Sequence, residues 1–161
     1  MSELHVAAES EGPPAEQAAR RSRWELQARH FETRVHFNNL IGLRVTTWTD
    51  ETVVMQLPHS QQLCNSTDGF HGGVIAALAD TCGTAASLAA VGAEGFVATL
   101  SMNISYLAPA TTELTATGIC IKSGRRIQVA EVRVRDTAGT LVAEAIVTST
   151  LPSQTKVVDP G

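Results

Sequence analysis

Hydrophobic and polar positions along this chain separate alternating segments from one long, almost wholly apolar run. In "FVATLSMNISYL", residues 96–107, Phe96, Ala98, Leu100, Met102, Ile104 and Tyr106 share one parity, and Val97, Thr99, Ser101, Asn103 and Ser105 share the other. A period of two predicts a strand with one packed face and one mostly polar face. Three more strands are predicted after it: "TELTATGICIK", "RRIQVAEVRVRD" and "TLVAEAIVTSTL", with turns at Ser123-Gly124 and at "TAG". Upstream, "GLRVTTWTD" and "ETVVMQLP" read as a hairpin joined at Asp50-Glu51. Between the two groups, from His71 to Val91, the chain is apolar nearly all round and predicts a long helix that Gly92 and Gly95 end. Such a helix must be covered on most sides. An antiparallel sheet of about six strands wrapped around this one central helix, an α+β arrangement, satisfies the helix and the strands together.

The flanks read differently. Residues 1–14 are acidic, carry Pro13-Pro14 and almost no large apolar groups, and are expected to be disordered. Residues 15–40 read as a helical segment anchored by Trp24, Leu26, Phe31, Val35 and Phe37, with Arg20, Arg21 and Arg23 on a solvated face. The main domain is expected over 41–152, and residues 153–161 as a fraying tail.

Composition narrows the classes. With 161 residues and 43% hydrophobic content, the chain can build one domain with a real core. Only 17% of residues are charged, so much of the surface is expected to be buried in the core or between subunits. A net charge of -4 argues against a nucleic-acid partner, which usually meets a basic footprint. Three cysteines, Cys64, Cys82 and Cys120, are odd in number and lack metal-ligand spacing; they read as reduced thiols of a cytoplasmic protein with no metal. The N-terminus shows no apolar signal region. Residues 72–92 approach the length of a membrane span. However, they are rich in Ala, Gly, Ser and Thr, lack basic flanks, and carry Asp80 near the centre, which would cost about 2.5–3.5 kcal/mol on insertion. No membrane partner is expected.

The candidate chemistry lies in "NSTDGFHGGVIAALAD", residues 65–80. The first N–H groups of a helix have no intrahelical partner and carry the positive end of its dipole. With no side chain at Gly72, a carbonyl can approach its N–H, and a developing oxyanion would be stabilised there. Asp80 is the single full charge in the helix and a candidate general base or nucleophile. An ion pair with an arginine of a neighbouring strand is the plain alternative. A helix turns about 100° and rises about 1.5 Å per residue, so nine steps put Asp80 about 180° around and about 13 Å beyond His71. If both serve one substrate, they must come from different chains, in a dimer with two sites across a two-fold axis. There is no G-x-S-x-G elbow, so a serine triad is not indicated.

His71-Gly72-Gly73, then Leu78-Ala79-Asp80, then "MNISYLAP" resemble the hotdog-fold acyl-CoA thioesterases, and among them the phenylacetate-pathway (PaaI-type) branch, over about residues 37–151. The resemblance implies the hotdog fold, hydrolysis of an acyl-CoA to free acid and CoA, no cofactor beyond the CoA of the substrate, and a dimer or dimer of dimers. It places the family's loop asparagine on Asn65, its His-Gly pair on His71 and Gly72, and its helix aspartate on Asp80. The strand serine that helps to place water in some members falls on Thr99, which keeps the hydroxyl and adds a methyl. Gly73 is a further candidate at the substrate. Lys122, Arg125 and Arg126 around the Ser123-Gly124 turn are candidates for the CoA phosphates, or else a solvated hairpin tip. The rival reading is a non-catalytic acyl-CoA-binding sensor or scaffold on the same fold.

Overall fold

The computed structural model describes residues 13–94, 97–151 and 156–157. Three helices and a six-stranded sheet make up most of it: α1 (Pro14–Thr33), α2 (His36–Ile41), β1 (Arg44–Trp48), β2 (Val53–Leu57), α3 (Gly72–Ala90), β4 (Ala98–Tyr106), β5 (Leu114–Ser123), β6 (Ile127–Arg135) and β7 (Leu141–Thr150). Strand β3 (Ala93–Glu94) pairs antiparallel with β8 (Lys156–Val157) as a separate two-stranded sheet. The large sheet is antiparallel throughout, in the order β1-β2-β5-β6-β7-β4, so β1 and β4 are its edges. The sheet wraps α3, which is the hotdog fold.

The core lies between α3 and the concave face of the sheet. Leu78 and Leu88 of α3 are fully buried with Met55, Leu57, Leu114, Val132, Val134, Val142 and Val147. Small residues let the helix sit directly on the strands. A Cβ at Gly83 would lie 2.6 Å from Val147 Cγ2, and one at Gly118 would lie 2.9 Å from the Cys82 carbonyl oxygen. This explains why α3 is so rich in Ala and Gly: bulk would push it off the sheet. By length and composition α3 could cross a membrane, yet 61% of its apolar window is buried inside the protein. It is the core helix.

Several expectations are refined. The N-terminal helical segment is two helices. Asn38 of α2 donates from Nδ2 to the Phe31 carbonyl at 3.0 Å, taking an acceptor near the end of α1. The arginine face is not simply solvated. Asp50 of the β1–β2 hairpin accepts from Trp24 Nε1 at 2.8 Å and pairs with Arg20 at 3.3 Å and Arg23 at 3.8 Å. Together these dock α1 on the hairpin. Part of the expected C-terminal tail forms β8, although residues 152–155 and 158–161 lie outside the described residues, as do residues 1–12, Gly95 and Phe96. Gly92, at φ +58°, turns the chain just after α3.

The alternation in β4 is broken. Thr99 pairs with Ser149 and Ser101 pairs with Thr148, leaving Leu100 as the extra residue of a β-bulge. Downstream, Met102, Ile104 and Tyr106 keep the helix-facing parity. Upstream the parity is reversed, so Thr99 also faces α3 and Leu100 is 55% exposed.

Candidate active site

The bulge re-aims one hydroxyl at the one carboxylate. Thr99 Oγ1 donates to Asp80 Oδ1 at 2.7 Å, the length of a charge-assisted bond. No arginine or lysine pairs with Asp80 among the described residues, so the plain ion-pair alternative fails. Asp80 is half-buried, and Thr99 is exposed.

At the other end of β4, Tyr106 meets the start of α3. Its hydroxyl donates to the Gly72 carbonyl at 3.0 Å. His71 is the N-cap of α3, and its Nδ1 accepts from the Gly73 N–H at 3.0 Å. With Nδ1 accepting, the proton of the ring sits on Nε2, which is a donor. The Val74 and Ile75 N–H groups both bond the His71 carbonyl, at 2.9 and 3.2 Å. Of the first four amides of the helix, only Gly72 N–H has no partner among the described residues. The orphan donor expected from helix physics is thus a single, identified group. Gly73 spends its N–H on the cap, and a Cβ there would lie 3.0 Å from His71 Nδ1, so its smallness serves the cap.

Asn65 sits on a short hairpin that feeds this turn. Cys64 and Phe70 bridge across it, Asn65 N–H donates to Gly69 O at 2.7 Å, and His71 N–H donates to Leu63 O at 2.9 Å. Asn65 Oδ1 accepts from the Thr67 N–H at 2.8 Å and the Thr67 hydroxyl at 2.7 Å. An N–H can only donate, so the amide orientation is fixed. The Asn65 Nδ2 donors have no partner among the described residues.

The sequence-derived candidates therefore fall into two separate groups in one chain. Asn65, His71, Gly72 and Gly73 gather at the start of α3; Asp80 lies eight residues beyond Gly72, about 12 Å along the helix, with Thr99 of β4 hydrogen-bonded to it. Lys122, Arg125 and Arg126 surround the β5–β6 turn, exposed and without a carboxylate partner among the described residues. Ser123, Gln128, Ser149 and Thr99 are in register across four strands, which puts this turn at the Asp80 end of the sheet. Cys82 is fully buried, and burial pushes its thiol up to about 12, so it is no nucleophile. Burial also raises the Cys120 thiol. Cys64 has a neighbour that its sequence context did not reveal: its Sγ lies 3.2 Å from His59 Nε2. Tyr106 too was missed as a site residue. No three His, Cys, Asp or Glu side chains among the described residues cluster as a metal ion requires.

Residues 69–143 match the thioesterase superfamily. Over 111 residues the chain is 33% identical to a Halobacterium salinarum protein named "Putative esterase"; the match spans 66% of this chain and 74% of that one. The chain belongs to the thioesterase superfamily. A solved structure described as from that superfamily is similar to this thioesterase at 30% identity and a TM-score of 0.74, covering 81% of this chain and 98% of the other. The Escherichia coli PaaI protein from the phenylacetic acid degradation operon shares the fold at 20% identity and a TM-score of 0.71, covering 81% and 94% of the two chains. Thioester hydrolysis is the chemistry of this family, and the matched segment runs from the turn before His71 through α3 and most of the strands behind it.

Proposed function

We propose that this thioesterase hydrolyses an acyl-CoA to the free acid and CoA in a site shared by two chains. Gly72 N–H of one protomer polarises the thioester carbonyl, with Asn65 Nδ2 as a second donor or as the group that orients water, and with His71 Nε2–H lining the same turn. Asp80 of the partner activates water as general base, or attacks the thioester directly. A thiolate leaves without strong acid assistance, so such a sparse site is sufficient. The observation that carries this reading is a pair of groups among the described residues: a helix N–H without a partner at Gly72, and a carboxylate held by Thr99 at 2.7 Å with no Lys or Arg paired to it.

The two-chain site is favoured because the half-sites lie at opposite ends of β4 and cannot share one thioester within a protomer. An open edge supports it as well. Among the described residues β4 pairs on one side only, and Leu100, Tyr106 and neighbouring Leu107 are exposed there. Such an edge is a template for pairing with a second copy. Lys122, Arg125 and Arg126 would hold the CoA phosphates, and Gly73 lies beside the thioester.

Release of CoA by chromatography from a panel of phenylacetyl, benzoyl, short-, medium- and long-chain acyl-CoAs tests the proposal. The wild type is expected to turn over at least one member, and Asp80→Asn to lose nearly all of that activity. Acyl-pantetheine thioesters, which lack the nucleotide phosphates, should be insensitive to Lys122→Ala with Arg125→Ala and Arg126→Ala, whereas KM for acyl-CoA rises. Binding without turnover in the wild type would instead favour a sensor or scaffold.

A further inference from the structure

We infer that Tyr106 is a positioning residue for the thioester carbonyl, acting by holding the Gly72 α-carbon and the Gly72–Gly73 peptide directly behind the donor N–H; the inference rests on the function proposed above. Two consecutive glycines, Gly72 and Gly73, open α3, and neither has a Cβ to restrict its backbone. A donor aimed at an oxyanion must nevertheless be held within a narrow angular range. Contacts from outside the pair must do the holding.

The structure supplies them on both sides of Gly72. The peptide ahead of it is fixed through its carbonyl, which belongs to His71 and accepts from Val74 N–H at 2.9 Å and Ile75 N–H at 3.2 Å. The peptide behind it is fixed at both ends. Its N–H donates to His71 Nδ1 at 3.0 Å, and its carbonyl accepts from the Tyr106 hydroxyl at 3.0 Å. The Tyr106 ring also covers the Gly72 α-carbon: Cε1 and Cζ lie 3.6 Å from where a Cβ would stand. The aromatic ring restricts this glycine in place of its own side chain. One N–H remains uncommitted, and it is the one the reaction needs. Tyr106 is 51% exposed, an unusual position for an aromatic residue on the helix-facing side of a strand. Its outer surface lies at the edge proposed to meet the second copy, where it would flank a substrate bound between the two chains.

The test compares wild type, Tyr106→Phe and Tyr106→Leu with one acyl-CoA, well below each variant's melting temperature. The hydrogen exchange of the Gly73 amide is followed in the same samples. Tyr106→Phe keeps the ring and removes only the hydroxyl. Its kcat should fall about three- to tenfold, the weight of one neutral hydrogen bond, with KM within about twofold and faster Gly73 exchange. Tyr106→Leu, which loses the ring as well, should fall at least as far. A Phe variant with wild-type kcat would overturn the inference while leaving the enzyme's function intact. So would a loss of kcat that merely followed the folded fraction with Gly73 exchange unchanged, since Tyr106 would then be a stabilising contact only. A wild type that turned over no acyl-CoA would overturn the function, and this inference with it.

Discussion

Gly72→Pro removes a single donor, puts a ring carbon where its hydrogen stood, and leaves the hydrogen bonds of the fold in place. Gly72 is the first residue of α3, where proline fits best because the N–H has no helical partner. His71, the residue before it, has φ -63° and ψ 136°, the extended geometry that a following proline demands. A Cβ at position 72 meets Tyr106 at 3.6 Å, an ordinary contact. No hydrogen bond seen in the protein is lost, since Gly72 N–H donates to nothing among the described residues. Stability should hold or rise by about 0.4–1 kcal/mol, because proline restricts the unfolded chain. Catalysis should suffer. Loss of one oxyanion donor costs about 2.7–4 kcal/mol, or about 10²–10³ in kcat. Melting temperature and steady-state CoA release, measured on one preparation, separate the two effects. A proline variant that folds normally and keeps wild-type kcat would refute the assignment of Gly72 N–H.

Other consequences follow from the same geometry. Thr99→Val keeps the shape and deletes the hydroxyl that orients Asp80; a bond to a charged group at a half-open site is worth about 1.5 kcal/mol, so kcat should fall about tenfold, while Thr99→Ser should stay close to wild type. Equal rates for the Val and Ser variants would contradict that role. Gly118→Ala drives a Cβ to 2.9 Å from the Cys82 carbonyl, a backbone atom that cannot swing away, and should cost about 1–3 kcal/mol in urea unfolding. An unchanged midpoint would show that α3 can lift off the sheet. Burial raises the Cys82 thiol from 9.0 to about 12. Above about pH 9 the unfolded chain therefore releases a proton that the folded chain keeps, and stability declines as pH rises from 9 toward 12. Melting temperature against pH should fall more steeply for wild type than for Cys82→Ala; parallel curves would contradict it.

Much of the fold around this candidate site was legible in the amino-acid order, and the parts that were not share a cause. The apolar run from His71 to Val91 and the period of two beyond it are local signals, and they led to α3 and the strands of the hotdog sheet. The bulge at Leu100 is not local. An apolar Leu100 fits an uninterrupted packed face, and only its pairing with β7 shows that it is the extra residue and that Thr99 turns toward Asp80. The same holds for Asp50, whose partners Arg20, Arg23 and Trp24 lie more than twenty residues away and turned an apparently solvated helix face into a docked one. It holds for Tyr106 as well, 34 residues from Gly72, which the alternation placed on the packed face without showing what it packs against. Asn65 and His71 carried readable types at readable spacing, but their division of labour depends on which atoms Thr67 and Gly73 engage.

The central claim is that Gly72 of one chain and Asp80 of another form each site, and subunit complementation tests it most directly. Gly72→Pro and Asp80→Asn chains, each inactive alone, would be co-expressed with different tags, and the mixed dimer purified through both. A site built across the interface gives that dimer one intact Gly72–Asp80 pair, and about half of wild-type CoA release per dimer is predicted. A mixed dimer as inactive as its parents would contradict the account, because each chain would then be supplying both groups to its own site.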